Sequence, residues 1–236
     1  MVSNIYSDNG KNFVGASRQL QESVQQIALQ SPTQRFLEDQ HITFHFIPPH
    51  APHFGGIWER AVQSVKNHLR RVIGDTLLTY EEFNTLLCQV EAILNSRPLT
   101  PLSSEPGELE ALTPGHFLSG GPLVCLPEAD ISEIPSNRLK RWQQVKSFTQ
   151  RIWKRWHKEY LFTLQQRSKW VKFQKNLEVN GLVLIHEDNL PPLQWRLGRI
   201  IKVFPGNDNI VRVAEVVTKS GRFTRPVTKL SPLPMD

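Results

Sequence analysis

The sequence has few cysteines and no long apolar segment, and these absences exclude several classes of protein. Only two cysteines, Cys88 and Cys125, occur among 236 residues, too few for a disulfide framework or a cysteine-rich zinc module. No apolar run approaches the ~20 residues of a membrane span, and MVSNIYSDNG does not resemble a secretory signal. A glycine-rich phosphate loop is also absent, so nucleotide hydrolysis is not supported.

The charge of the chain is divided unequally between its two parts. Residues 1–136 contain 8 Lys and Arg against 15 Asp and Glu, a net charge of −7. Residues 137–236 contain 20 against 7, a net charge of +13. Such a division indicates two parts with different roles, and it makes the second part the candidate for binding a polyanion.

The first 97 residues alternate between strand and helix patterns. Residues 2–7 and 42–46 are rich in β-branched and aromatic residues and predict strands, whereas 14–30 and 58–73 have apolar residues at helical spacing. Thr79, followed three residues later by a glutamate, forms a capping box that predicts the start of another helix, ending before Pro98. The order predicts an α/β domain over residues 1–97.

The remaining residues predict three further segments. Residues 98–136 contain seven prolines and predict a connector with one short helix near 114–119. Ser136 or Asn137 is a candidate cap for a long basic helix that would run to about residue 168. This helix, with the residues up to 180, forms the predicted basic helical region. Its predicted apolar stripe is Trp142, Val145, Phe148 or Thr149, Ile152, Trp156 and Tyr160.

The last 56 residues change from a helical to a strand period. Residues 181–186, 194–204, 210–218 and 222–230 are rich in β-branched residues, and the separators EDNLPP, PGND and KSG have the composition of turns. Four short strands joined by tight turns predict a small antiparallel barrel over residues 181–236.

Two carboxylates are placed where an α/β sheet usually carries its site. Asp8 follows the first predicted strand, and Glu59 lies in the first turn of the helix that follows the second. Strand ends and the helix starts that follow them meet at one edge of an open sheet. Carboxylate oxygens there could share hard divalent cations such as Mg²⁺ and support phosphodiester chemistry. The alternative is structural, because Asp-Asn-Gly forms turns and the helix dipole favours glutamate in a first turn.

Several long motifs carry a resemblance to a known family. SDNGKNF (7–13), IPPHAPHFGGIWERAVQSVKNHLRRV (47–72) and ILNSRPLTPL (93–102) resemble the integrase of Bel/Pao-type retrotransposons. The similarity continues through LTPGHFLSGGPL (112–123), the basic helix and the C-terminal strands, and so covers nearly the whole chain. It implies a partial RNase H-like catalytic core, followed by the basic helix and an SH3-like barrel.

The resemblance also implies a chemistry and a departure from it. In this family three carboxylates bind two Mg²⁺ or Mn²⁺ ions, and Asp8 and Glu59 match the second and third of them. The first aspartate, the opening strands and the zinc module of these enzymes would precede residue 1. The implied function of the intact enzyme is DNA integration by 3′-end processing and strand transfer. We expect this chain alone to be inactive or weakly active.

The implied partners are element-end DNA, target DNA and other integrase chains, and we expect neither a membrane nor a small-molecule partner. Integration would take place in the nucleus. The residues that match DNA-facing positions, or that carry positive charge in the basic half, form the predicted DNA-binding set: Gln63, Lys66, Arg70, Lys140, Arg141, Lys154, Arg155, Arg196, Arg199, Lys202, Arg212, Arg222 and Arg225.

Two other functions fit the same sequence. A non-catalytic DNA- or chromatin-binding module derived from a retroelement would keep salt-dependent DNA affinity that does not change on Glu59→Gln. A protein–protein adaptor would use the basic barrel to hold acidic peptides, and its DNA binding would disappear near physiological salt. Neither alternative requires the carboxylate pair.

Overall fold

The computed structural model describes residues 4–28, 43–48, 56–103, 105, 107–165 and 176–234. The chain divides into two compact units, 1–64 and 65–236. The described elements are β1 (Asn4–Ser7), α1 (Lys11–Ala28), β2 (Thr43–Phe46), α2 (Gly56–Ile73), α3 (Tyr80–Asn95), β3 (Thr100–Pro101), β4 (Ala111–Leu112), α4 (Pro114–Ser119), α5 (Arg141–Leu164), β5 (Leu182–Ile185), β6 (Leu197–Pro205), β7 (Val211–Thr218), β8 (Gly221–Pro226) and β9 (Leu230–Pro232).

The first unit contains a two-stranded parallel sheet. β1 pairs with β2 in the register Asn4 to Thr43 through Ser7 to Phe46. Parallel strands need a crossover connection, and α1 lies in this one, as the alternating pattern predicted. The helix begins at Lys11, three residues before the predicted start, because the turn at Asp8–Gly10 leads directly into it.

The second unit contains a core built by three helices. α2 from Val65 onward, α3 and α5 contribute buried apolar side chains to one cluster, which includes Leu69, Leu86 and Ile152. α3 begins as predicted, because the Thr79 side chain accepts from the Glu82 amide at 3.3 Å and the Glu82 carboxylate accepts from the Thr79 amide at 2.9 Å. α2 ends at Ile73, where Gly74 adopts a φ of +57°.

The proline-rich connector is more ordered than its composition predicts. Its short strands β3 and β4 pair in antiparallel fashion, and α4 forms where the sequence predicted a short helix. Residues Ser136–Arg138 form a 3₁₀ turn and not the start of the long helix. α5 begins at Arg141, and the Lys140 amide donates to the Gln143 side chain at 2.8 Å. The predicted end near residue 168 lies outside the described residues.

The buried face of α5 differs from its predicted stripe at one end. Val145, Ile152 and Trp156 are buried as predicted, but Trp142 is 62% exposed. Trp153, which the stripe omitted, is 1% exposed, because Trp195 packs edge-on against it and the Leu190 carbonyl accepts from its indole N–H at 2.8 Å. These contacts come from the loop before β6, which the period of the helix does not encode.

Five strands, and not the predicted four, form the C-terminal sheet. Their order is β8-β7-β6-β5-β9 and every neighbouring pair is antiparallel. The last predicted strand is divided into β8 and β9 by the 3₁₀ turn Val227–Lys229. The chain therefore has a mixed α/β structure with an antiparallel sheet at its C-terminal end.

The boundary between the two compact units falls at residues 64 and 65, and the predicted boundaries at residues 97, 136 and 180 stay predictions. Leu161 of α5 shares a hydrophobic cluster with Leu182, Leu184 and Leu233 of the C-terminal region, and Ala111 of β4 joins the same cluster. The connector, α5 and the sheet therefore share one hydrophobic cluster. Among the described helices, none combines the length and the apolar composition that crossing a membrane requires.

Candidate nucleic-acid interface

Asp8 and its neighbours hold the turn that follows β1. One Asp8 carboxylate oxygen accepts from the Gly10 amide at 2.9 Å, which is an Asx turn. The side-chain amide of Asn9 donates to the Ile47 carbonyl at 2.7 Å and ties this turn to the end of β2. The Asp-Asn-Gly motif therefore has a structural role, in line with the alternative that the sequence left open.

Glu59 is exposed in the first turn of α2 and forms no ion pair with a described residue. The part of the chain that the structure describes contains no group of three or more His, Cys, Asp or Glu side chains that could hold a metal ion. Asp8 and Glu59 offer the oxygen ligands that Mg²⁺ prefers, but the described residues supply no third acidic ligand. A shared metal at these two carboxylates stays a prediction.

The three predicted DNA contacts on α2 are exposed. Gln63 lies in the first unit, and Lys66 and Arg70 lie in the second. None of them pairs with a carboxylate within the described ranges, so their side chains are available to a ligand. Their contact with DNA stays a prediction.

Most of the predicted cations on α5 are bound to acidic side chains of the same chain. Arg141 donates through Nε to a Glu82 carboxylate oxygen at 2.8 Å and through Nη2 to the other, and also to the Leu77 carbonyl at 3.0 Å. Lys154 lies 2.7 Å from Asp130, and Arg155 donates to Glu159 at 3.2 Å. Lys140 is exposed and has no carboxylate partner in the described chain.

The partners of α5 include an acidic segment of the connector, Glu128–Glu133. Glu128 lies 2.9 Å from Lys146, and Asp130 and Glu133 lie 2.7 and 3.9 Å from Lys154. The sequence reasoning missed this segment. A signal was present, because residues 98–136 contain six acidic residues and neither Lys nor Arg.

Arg199 is not available to DNA, which corrects the prediction made for it. The residue is 1% exposed, and its guanidinium donates to the carbonyls of Asn180, Ser103 and Glu108 at 3.0, 3.3 and 2.7 Å. Its Nε has no partner among the described atoms. Arg199 joins the sheet to the connector, because a buried charge requires hydrogen-bond acceptors around it.

Two other predicted arginines of the sheet region are exposed or partly exposed but paired. Arg212 makes a two-point contact with Asp208, at 2.9 and 2.5 Å. Arg196 lies 3.3 Å from Glu187 and donates to the Ser220 hydroxyl at 2.5 Å. Their charge is neutralised locally.

Three predicted cations of the sheet make no ion pair with any described residue, and we call them the free sheet cations: Lys202, Arg222 and Arg225. Lys202 lies over the Phe204 ring, 5.1 Å from its centroid, and Arg225 lies 5.2 Å from the centroid of Phe223. Both residues are exposed, and each places its charged group over the face of an aromatic ring.

The strand register places two of these cations on one face. In the strand register, Lys202 on β6 lies opposite Glu215 on β7, and Glu215 lies opposite Thr224 on β8. Arg222 lies two residues from Thr224 on β8. From strand spacing, the Cα atoms of Lys202 and Arg222 are about 12 Å apart. Phe204, 39% exposed, lies on the same face because it is two residues from Lys202. Arg225, in register with Ala214, belongs to the other face.

Ion pairing and burial shift several pKa values in the second unit, residues 65–236. Lys154 holds the pKa of Asp130 at about 2, and Arg212 does the same for Asp208, so both carboxylates are charged at neutral pH. Burial lowers the pKa of His157 to about 4, with the nearby His186 acting in the same direction. Burial also lowers the pKa of His68 and His186. The interior histidines therefore add no positive charge at neutral pH.

In this arrangement the cations that are open to an anion lie on the sheet, whereas most cations of α5 are paired with carboxylates. Lys219 extends the basic character of the sheet, since it is exposed in the turn between β7 and β8. The predicted set omitted Lys219, although the Lys-Ser-Gly turn that contains it was visible in the sequence.

Part of the chain matches the model of a known protein family. Residues 140–233 match the model of a family of unknown function (DUF5641), which occurs in retrotransposon- and integrase-associated proteins. The matched residues begin next to the start of α5 and end just after β9, so they contain the helix and the whole sheet. No curated protein matches the chain.

Proposed function

We propose that the chain binds nucleic acid through the free sheet cations. The observation that carries this proposal is the pairing pattern: Lys202, Arg222 and Arg225 have no carboxylate partner among the described residues, although most cations nearby have one. A cation without an internal partner is free to neutralise a phosphate and release its counterions.

The expected mode of binding is sequence-independent. Lys202 and Arg222 lie on one face of the sheet at a separation that suits two phosphates of one strand, and phosphate contacts position a ligand without reading its sequence. Phe204 lies on the same face, 39% exposed, and its ring faces the Lys202 ammonium. Electrostatic attraction dominates such binding, so its affinity falls steeply with salt.

The proposed origin of the chain is a Bel/Pao-type retrotransposon integrase. Two observations support it: the motifs that resemble this family, and the match of residues 140–233 to a family that occurs in retrotransposon- and integrase-associated proteins. In this proposal the five-stranded sheet, with its 3₁₀ turn before the last strand, is the SH3-like barrel. The parallel pair β1 and β2 belongs to an RNase H-like core.

In such an enzyme Asp8 and Glu59 would hold a divalent cation, Mg²⁺ or Mn²⁺, that activates the attacking oxygen and stabilises the leaving one. Both side chains are of the right chemical type, and Glu59 has no competing ion pair with a described residue. We assign no catalytic step to this chain. Its proposed activity in isolation is binding.

The test measures the affinity of the full chain for duplex DNA at several salt concentrations. The triple variant K202Q/R222Q/R225Q removes three exposed charges. We expect the slope of log affinity against log salt to decrease by about 1.8, because Lys202 and Arg222 share one face and each phosphate contact contributes about 0.9, whereas Arg225 lies on the other face. The matched control, R141Q/R155Q/K158Q, removes three cations that are paired with carboxylates.

The control should bind DNA with the wild-type slope. Equal loss in both triple variants would mean that net charge alone determines binding, and it would overturn the assignment to the sheet. Binding of an acidic peptide in place of DNA, with no DNA binding near physiological salt, would favour the adaptor function instead.

A further inference from the structure

The acidic segment Glu128–Glu133 lies along one face of α5. From Glu128 to Asp130 its contacts advance along the helix: Glu128 pairs with Lys146, and Asp130 pairs with Lys154. Between them, the Gln150 side chain donates to the Ala129 carbonyl at 2.9 Å and accepts from the Ile131 amide at 2.8 Å. Arg151 donates to the Ser132 carbonyl at 2.8 Å.

The helical residues that receive the segment form a continuous surface, which we call the covered face: Lys146, Gln150, Arg151 and Lys154. Lys146, Gln150 and Lys154 are four residues apart, so they share one side of the helix with about 6 Å between turns. The Lys146 and Lys154 side chains are only 19% and 28% exposed, because the acidic segment lies over them.

The groups that the acidic segment presents to these cations are all hydrogen-bond acceptors. Lys146 and Lys154 meet carboxylates, Arg151 meets a carbonyl, and Lys154 also donates to the Ser132 hydroxyl at 2.7 Å. A phosphodiester chain offers the same chemistry, a row of negatively charged oxygens that accept from lysine and arginine. The segment thus provides what a nucleic-acid strand would provide.

We propose that the covered face of α5 is a second polyanion-binding surface, and that the acidic segment occupies it within the chain until a nucleic acid displaces it. The nature of the ligand rests on the proposed function, but the covered face is separate from the free sheet cations. The chain then has one open and one self-inhibited anion site.

Displacement is compatible with the rest of the fold. Residues 121–127, which precede the segment, form no helix or strand, so movement of the segment breaks no regular secondary structure there. The carboxylates of Glu128 and Asp130 are about half exposed, and ion pairs of this kind contribute little and weaken further with salt. A ligand with many phosphates can compete with two carboxylates, since it gains counterion release at each contact.

The experiment compares two double variants with the same change in charge. E128Q/D130N removes the carboxylates that face Lys146 and Lys154. E105Q/E110Q removes two exposed connector carboxylates that pair with no cation in the described chain. Each is made in the wild-type background and in K202Q/R222Q/R225Q, and duplex DNA binding is measured over a range of salt.

We expect E128Q/D130N to steepen the slope of log affinity against log salt by about 2, because two lysines gain phosphate contacts. The gain should appear in both backgrounds, and adding K146Q/K154Q should abolish it. The control E105Q/E110Q should leave the slope unchanged. An equal slope change in the two double variants, or no change in either, overturns the proposal.

The two backgrounds separate this proposal from the proposed function. If the sheet does not bind DNA, K202Q/R222Q/R225Q will have no effect, but E128Q/D130N will still increase binding. If only the sheet binds, the triple variant will lose binding and E128Q/D130N will not restore it. The first result contradicts only the proposal that the sheet binds DNA. The second contradicts only the proposal that the covered face binds it.

Hydrogen exchange of the wild-type chain gives a readout that needs no variant. The Ile131 amide donates to the Gln150 side chain, so it is protected while the segment lies on α5. Saturating DNA at low salt should accelerate exchange at Ile131. Unchanged or slower exchange of this amide in the DNA complex would contradict displacement.

Discussion

The basic half of the chain contains two groups of cations that differ in what they face. On α5, five cations, Arg141, Lys146, Lys154, Arg155 and Lys158, lie within 4 Å of a carboxylate. On the sheet, Lys202, Arg222 and Arg225 have no such partner among the described residues. The helix has the denser positive charge in sequence, yet the sheet has more of it available to a ligand.

Part of this difference comes from the connector, which pairs with two of the five cations. It supplies Glu128, Asp130 and Glu133 to α5, whereas its contact with the sheet is through backbone carbonyls that receive Arg199. The carbonyls hold a buried guanidinium and leave the exposed cations untouched. Net charge therefore overstates the surface that a polyanion can reach.

The largest effect on stability is expected at Arg199, the sheet cation that faces inward. Arg199→Met leaves the carbonyls of Asn180, Ser103 and Glu108 without their donor, so the free energy of unfolding should fall by about 3 kcal/mol. Chemical denaturation measures this change. The salt slope of DNA binding should be unchanged in the folded variant, and a variant of normal stability that has lost DNA binding would reverse the assignment.

Acidification adds positive charge to buried histidines. Because burial lowers the pKa of His157 to about 4 from 6.5, the folded state resists a proton that the unfolded state accepts. Stability should be full above pH 6.5 and fall by about 3 kcal/mol as the pH decreases to about 4. His68 and His186 act in the same direction.

Thermal or chemical unfolding over this pH range tests the expectation. His157→Gln, which cannot be protonated, should flatten the curve. A stability that rises on acidification would show that these histidines gain a partner when charged.

A smaller effect on stability is expected at Glu82, which takes part in the α3 cap and pairs with Arg141. Thr79→Ala removes the hydroxyl that accepts from the Glu82 amide and should destabilise the protein by about 1 kcal/mol. Arg141→Gln removes the exposed partner of the Glu82 side chain and should affect unfolding less. Neither should alter DNA affinity, and denaturation with a parallel binding assay checks both.

The smallest effect on DNA binding is expected from single substitutions of two arginines on neighbouring strands. Arg222→Gln removes a free sheet cation and should reduce the salt slope of DNA binding by about 0.9. Arg212→Gln removes the same charge from a residue that is bound to Asp208 and should leave the slope unchanged. Equal slopes for the two variants would erase the distinction between paired and free cations.

The parts of the fold that sequence predicted well depend on local interactions. The α3 cap at Thr79 and the end of α2 before Gly74 involve residues within one or two turns of each other. The Asx turn at Asp8 is equally local. Such features are encoded by spacing, because the groups that make them are neighbours in the chain.

The parts that sequence missed depend on contacts between distant segments. Trp153 is buried because Trp195 packs on it, and Arg199 is buried because the connector folds over β6. The pairs Glu128–Lys146 and Asp130–Lys154 likewise join residues 18 and 24 positions apart. In a helical period or a charge count, a lysine that faces DNA and a lysine that faces a carboxylate are indistinguishable.

The aromatic cluster around Trp195 gives the protein an intrinsic optical probe. The ring centroids of Trp153 and Trp156 lie 5.1 and 5.8 Å from that of Trp195, close enough for their electronic transitions to couple. The imidazole of His157 lies 4.8 Å from the same indole, and an imidazolium quenches indole fluorescence. Tryptophan emission and near-ultraviolet circular dichroism should therefore report the protonation of this interior without any attached dye.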